Sequence, residues 1–267
     1  MMKLTNENYF SQEASREYIS VSQYKDFMGS LGKHACEAAA MAKLNGAWEI
    51  DEKSTALMVG SYVDAHFEGT LDLFKAQNPD IFLKNGGLKA EYRQAEDIIN
   101  RIERDETFMK YMSGQKQIIM TAEMYGSPWK IKIDSFHDGI AIVDLKVMRE
   151  LRKQEYTKDY GYMNFIQYWG YTIQGAVYQE VVRLNTGKKL PFYIAGASKE
   201  KFPDIEIIQV EQTLLDEALA EVASNTHKIV ALKKGDVEPI RCGVCDYCKH
   251  TKVLDKPIWS SELLGEC

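Results

Sequence analysis

Trp129-Lys-Ile-Lys-Ile-Asp134, followed by His137-Asp138-Gly139 and then Ile140-Ala-Ile-Val-Asp144-Leu-Lys146, reads as two short apolar strands joined by a tight turn. Strand side chains alternate faces, so Ile140, Ile142, Asp144 and Lys146 share one face while Ala141, Val143, Leu145 and Val147 fill the other. An Asp-Gly connection folds the first strand back on the second and brings Asp134 into the neighbourhood of Asp144. Two such carboxylates can hold Mg²⁺, or Mn²⁺ in its place, and leave positions open for a water and a phosphate oxygen. Lys146, on the face of Asp144, can position that water or offset charge on the phosphorane, and the Leu145 carbonyl can add a metal ligand. The competing reading of these residues is a plain ion pair between strands.

Composition sets the frame for that hairpin. The chain has 267 residues, 45% of them hydrophobic, which is enough for a substantial core. The first eighteen residues are polar and charged, without the apolar stretch of a signal peptide, and no run approaches the roughly 20 apolar residues of a membrane span. A cytoplasmic protein without membrane contact is expected. A net charge of −6 argues against nucleic-acid binding over the whole surface but leaves room for a local basic channel. Arg149, Arg152 and Lys153, then Lys188 and Lys189, then Lys199 and Lys201, are the local clusters, and a solvated face is the ordinary reading of each.

Outward from the hairpin the pattern is α/β, without repeats, low-complexity linkers or a clear boundary, so one domain over 1–267 is expected. Its parts are a helical segment over about 1–112, a core over about 113–210, and a helix with a cysteine-rich tail over about 211–267. Ser22 is placed to cap a helix from Gln23. Further helices are expected over Ala35–Leu44, Ala56–Phe74, Glu91–Met112, Tyr160–Leu184 and Leu214–Leu232. Gln117–Met124, Trp129–Asp134 and Ile140–Val147 read as successive antiparallel strands, with two more over Phe192–Ala197 and Ile205–Gln209.

Four segments carry a family resemblance: Ser20-Val-Ser22-Gln-Tyr24 with Cys36; Gly60-Ser-Tyr-Val-Asp64-Ala-His66-Phe-Glu68; Glu123 and Asp134 with Asp144-Leu-Lys146; and Gln174-Gly-Ala-Val-Tyr178. The chain resembles the PD-(D/E)XK nuclease superfamily, in its RecB-type branch, and most of all phage recombination exonucleases of the RecE and lambda-exonuclease kind. The resemblance implies a central mixed sheet flanked by helices. It departs from the branch at one point: the histidine expected four residues after Gly60 is Asp64. Asp64 and Glu68 are one helical turn apart and share a face, whereas His66 lies about 200° round from Asp64. Asp64 is therefore the better candidate for the histidine's role at the metal, with Glu68 beside it, unless both are simply solvated. Gln174 and Tyr178, again one turn apart, would meet the substrate phosphate or orient the lysine, or else fill core.

Cys242-Gly-Val-Cys245-Asp-Tyr-Cys248 places three thiols within seven residues, in a chain with five cysteines altogether. Thiolate metal binding is the natural reading in a reducing compartment. In iron-sulfur members of the resembling branch an upstream cysteine, here Cys36, joins three C-terminal ones on a [4Fe-4S] cluster, although the usual spacing before the last cysteine is longer. Zinc, with His250 or Cys267 as a possible fourth ligand, and free thiols in a tight turn are the alternatives.

The resemblance implies a Mg²⁺-dependent deoxyribonuclease, a 5′-to-3′ exonuclease on linear double-stranded DNA that leaves a 3′ overhang for strand annealing. Asp134 and Asp144 would hold the metal with Asp64 or Glu68. Ser20 and Ser22 could bind a 5′-phosphate, and Arg149, Arg152 and Lys199 would meet the DNA backbone. Relatives also suggest a ring-shaped homo-oligomer, commonly a trimer, a single-strand annealing partner, and a host cytoplasm if the gene is phage-borne. A structure-selective or adaptation-type endonuclease of the same branch, and a non-catalytic DNA-binding subunit, are the other readings.

Overall fold

The computed structural model of the chain describes residues 2–49 and 54–261. In chain order the helices are α1 (Gln12–Glu17), α2 (Val21–Met28), α3 (Glu37–Leu44), α4 (Thr55–Glu68), α5 (Leu71–Gln77), α6 (Ala90–Glu103), α7 (Glu106–Tyr111), α8 (Phe165–Tyr168), α9 (Tyr171–Thr186), α10 (Gln212–Lys234) and α11 (Asp246–His250). The strands are β1 (Gln115–Met124), β2 (Ser127–His137), β3 (Ala141–Met148), β4 (Glu155–Thr157), β5 (Gly161–Met163), β6 (Phe192–Ser198) and β7 (Ile205–Gln209).

Five strands form one mixed sheet in the order β1-β2-β3-β6-β7, and β4 and β5 make a small separate ribbon. The first three strands are antiparallel neighbours, β3 and β6 run parallel, and β7 returns antiparallel to β6. A parallel step needs a long crossover. Here α8 and α9 supply it. This is the mixed sheet with flanking helices that the sequence implies.

Both faces of β3 are covered, which is why its sequence is so nearly continuous in apolar residues. Ile142 packs with Ile131, Ile173, Val177 and Val222 under α9 and α10, whereas Val143 and Leu145 pack with Val63, Ile98 and Ile102 under α4 and α6. Each such fully buried aliphatic side chain contributes about 1.5–3 kcal/mol. Helix α9 can lie this close because residue 175 is glycine: a Cβ there would stand 2.5 Å from Phe192 and 2.8 Å from Leu215. None of the helices among the described residues is long and apolar enough to cross a membrane.

Several expected helices are shorter, each for a local reason. The stretch Ala56–Phe74 breaks at Gly69, whose φ of +77° ends α4 in a left-handed cap. Glu91–Met112 is interrupted at Asp105, whose side chain accepts the Phe108 N–H at 2.8 Å and starts α7 afresh. Tyr160–Leu184 begins as strand β5, continues as the short α8 capped by Asn164, and becomes α9 only after Gly170 at φ +64°. The cap of α2 is Ser20, which accepts the Gln23 N–H, rather than Ser22. In the first three places capping chemistry overrides the apolar period on which the longer helices rest.

Candidate active site

The site begins where β2 and β3 part. Their pairing runs His137↔Ala141, Phe136↔Ile142, Ser135↔Val143 and then stops. Ile133 and Phe136 both enter the core under α9, although an odd spacing should put them on opposite faces. Between them Ser135 turns the other way, donating its hydroxyl to the Tyr111 carbonyl, and Asp134 turns toward Leu145. Opposite this break in alternation β1 carries Gln117 at φ +54°, a backbone state a non-glycine residue seldom holds. The Leu145 N–H loses its strand partner there, and Asp134 Oδ2 accepts it at 2.9 Å. A backbone donor that burial would otherwise orphan thus fixes one oxygen of the carboxylate, while Gln117 Nε2 donates to the other at 3.4 Å.

Asp144, by contrast, obeys the alternation. It is 2% exposed and points toward α9, where Gln174 Nε2 donates to its Oδ1 at 2.6 Å. Lys146, two residues on and on the same face, forms an ion pair with Asp144 Oδ2 and donates to the Leu145 carbonyl at 3.2 Å. No donor meets Asp144 Oδ2 in hydrogen-bonding geometry, so charge alone compensates this buried oxygen. Asp64 and Glu68 approach from α4, and Asp64, Glu68, Asp134 and Leu145 line a common small pocket. The larger cleft around them is about 490 Å³ and also admits Ser20, Ser22 and Tyr178 to its wall.

Crowding of acids dominates the electrostatics. Burial pushes the Asp144 carboxyl up to about 6, against the lowering pull of Lys146 and with a further push from Asp134. Burial likewise drives Asp64 well above the usual carboxylate range, reinforced by the charges of Asp134, Glu68 and Asp144. Glu68 is raised by burial and by Asp134. Burial by itself would lower Lys146, but Asp144 and Asp134 outweigh it and hold the ammonium above the ordinary lysine value. The residues fit a hard divalent cation. Four carboxylates share one cleft, and the buried Asp144 Oδ2 has no donor in hydrogen-bonding geometry.

The other expected residues divide. Ser20 and Ser22 lie in the cleft wall with their hydroxyls 3.0 Å apart. Tyr178 is also in the wall, but its hydroxyl donates to the Lys132 carbonyl at 3.0 Å and so braces β2. Glu123 pairs with Pro128 at the far end of the β1–β2 hairpin, about 20 Å along the strand from Asp134. It therefore stands apart from the carboxylates with which the sequence groups it. Arg152 is committed to Asp204 and Glu206, and Lys199 donates to the Ala56 carbonyl at 2.6 Å; neither they nor the exposed Arg149 line the cleft. His66 pairs with Glu103 on the outer side of α4.

The cations that line the cleft besides Lys146 are Lys25, Lys130 and Lys132. Lys130 donates to the Tyr9 carbonyl at 2.6 Å, and burial lowers it to about 8. Lys25 donates to the Trp169 carbonyl at 3.2 Å and is lowered to about 8 by burial and then by Lys146. Two of these lysines are within the stretch that decides the fold: period-two alternation along Trp129–Asp134 was the signal that could have singled them out.

Residues 20–251 match a protein-family model described as a PDDEXK-like domain of unknown function, DUF3799. Over 100% of both chains, the protein is similar to a crystal structure from Eubacterium rectale provisionally described as an exonuclease, with 60% sequence identity and a TM-score of 0.97. None of the curated proteins matches the chain.

Proposed function

Since the chain belongs to the PD-(D/E)XK nuclease superfamily, through the PDDEXK-like family that its residues 20–251 match, we propose that it is a metal-dependent deoxyribonuclease acting as a 5′-to-3′ exonuclease on linear double-stranded DNA. The observation that carries this reading is the convergence of Asp134, Asp144 and Lys146 where two strands part, with Asp64 and Glu68 facing them. The provisional exonuclease description of the Eubacterium rectale protein favours exonuclease action.

Asp134 and Asp144, aided by Asp64 or Glu68, would hold Mg²⁺ or Mn²⁺. When bound, such an ion acidifies a water and offsets charge on the phosphate. Lys146, held beside Asp144 by their ion pair, would orient the attacking water and balance developing negative charge. Gln174 fixes the Asp144 carboxylate through Oδ1 and so selects which of its oxygens faces the reaction. Lys25, Lys130 and Lys132 replace Arg149, Arg152 and Lys199 as the side chains that meet the DNA backbone, and Ser20 with Ser22 would receive the terminal phosphate. A ring of identical chains around the duplex, and a strand-annealing partner for the exposed 3′ strand, complete the reading.

The deciding assay presents a linear 5′-phosphorylated duplex and a closed circle of the same sequence to the purified protein, with Mg²⁺ or with EDTA. Nucleotides should be released from the linear DNA alone, only with Mg²⁺, and not by Lys146→Ala. Cutting of the circle would replace exonuclease action by endonuclease action, and undiminished activity of Lys146→Ala would remove the site.

A further inference from the structure

Far from the cleft, the chain brings four thiols together from opposite ends of its length. Cys36 immediately precedes α3, and Cys242, Cys245 and Cys248 lie on the turn into α11 and within it. The Cys36 and Cys248 sulfurs are 3.6 Å apart, those of Cys242 and Cys248 3.9 Å, and all four lie within 4.8 Å of one another. None is joined in a disulfide. Backbone donors point at three of them: Ala39 N–H at Cys36, Cys245 N–H at Cys242 and Cys248 N–H at Cys245.

From these distances we infer that the four cysteines form a mononuclear, tetrahedral zinc site. A zinc–sulfur bond of about 2.3 Å sets the edge of a regular thiolate tetrahedron at about 3.8 Å; the Cys36–Cys248 and Cys242–Cys248 distances straddle that value. A four-iron cluster places four metal atoms and four sulfides between its thiolates and needs a wider mouth than these sulfurs leave. The N–H donors are what an anionic zinc tetrathiolate requires of its surroundings. Arg241 lies beside the site, donating to the Cys248 carbonyl at 3.1 Å while its guanidinium rests on the Tyr247 ring, so a cation offsets the excess negative charge. His250 stacks on Trp48 and lies outside the set. Cys267 lies outside the described residues. Four protein ligands leave no position for substrate, so the site is a clasp: it fixes the start of α3 to the segment after α10, beside the bonds between Ile240 and the backbone of Ala38 and the carboxylate of Glu37.

The test is the metal content of the full-length protein, expressed with both iron and zinc supplied, purified without oxygen and dialysed against EDTA to strip the acid cleft. About one zinc per chain should remain in a colourless protein. A mercurial reagent should release it together with four reactive thiols. Co²⁺ in its place should give the visible bands of a tetrahedral cobalt thiolate. Cys36→Ser and Cys245→Ser should weaken metal binding at least tenfold, while His250→Ala should leave it unchanged. Iron with stoichiometric sulfide and a brown colour would overturn the inference, as would metal-free protein with four freely reactive thiols, or zinc held as tightly by Cys36→Ser. If a serine variant fails to fold, the thiol and metal titrations of the unaltered protein decide alone. Every readout is independent of nuclease activity, so this inference and the nuclease reading can fail separately.

Discussion

The carboxylate cleft and the thiol clasp are both groups of potential ligands, and they are built on opposite principles. In the clasp soft sulfurs close on one another to within 4.8 Å. In the cleft hard oxygens stand around an open volume of about 490 Å³, with Lys146 among them and lysines along the wall. A closed set of four ligands can only hold; an open set of carboxylates can bind a cation and still admit water and phosphate. Stability and reaction are thereby assigned to separate places, and a perturbation of one should leave the other largely intact.

The largest break in that separation should come from Asp144→Asn or Lys146→Ala. Loss of nucleotide release by roughly 10³-fold is expected, with an unchanged zinc content; retained activity would mean that the cleft does not react. Gln174→Ala should follow with a loss of roughly 10–100-fold and weaker Mg²⁺ binding, because Asp144 Oδ1 loses its donor while the ion pair with Lys146 survives. Titration of activity against Mg²⁺ checks this, and an unshifted Mg²⁺ dependence would reduce Gln174 to a packing residue. On the other side of the comparison, Cys245→Ser should lower the melting temperature by on the order of 10 °C, yet leave the rate at low temperature within a few-fold of the original. An equal fall in both would show that the two regions are coupled.

The pH response sharpens the comparison further. With Asp144 raised to about 6 in the folded protein and near 3.8 in the unfolded chain, its ionisation opposes folding. That cost is full above pH 6 and disappears as pH falls toward 4; Asp64, raised for the same reason, acts in the same direction. A divalent ion in the cleft relieves it, so the gain in melting temperature from Mg²⁺ should be large at pH 7.5 and small at pH 5, where protons compete. The difference should be on the order of 1–3 kcal/mol, read by thermal melts with Mg²⁺ and EDTA. The smallest effect belongs to Tyr178→Phe, which removes the bond to the Lys132 carbonyl and should cost about 1 kcal/mol of stability with little change in rate.

Much of this was legible in the sequence, and the exceptions have physical causes. Alternation alone puts Asp144 and Lys146 on one face, and the helical repeat alone brings Asp64 and Glu68 together. Asp134 escapes such reasoning. The turn brings it near Asp144, but its bond to the Leu145 amide depends on the break in β2's alternation opposite a glutamine in a left-handed state. Glu123 was misgrouped because the register of β1 on β2, fixed by the turn at Tyr125-Gly126, carries it to the wrong end of the sheet. Two of the cleft lysines, Lys130 and Lys132, stood in plain view in Trp129–Asp134, but only the N-terminal arm, arriving with Tyr9 and Phe10, shows that their face encloses a cavity. The thiols were legible as a set and not as a metal: spacing brings ligands together, whereas the distance between sulfurs distinguishes one ion from a cluster.

The bond from the Leu145 amide to Asp134 gives the molecule a reporter of its own. That single proton touches the carboxylate most exposed to any change in the cleft, through an oxygen that the backbone already holds. Its nitrogen and proton resonances should therefore register the arrival of a cation, or of DNA, before any phosphodiester bond is cut. One backbone signal would thus let candidate ligands be ranked by occupancy, with no turnover required.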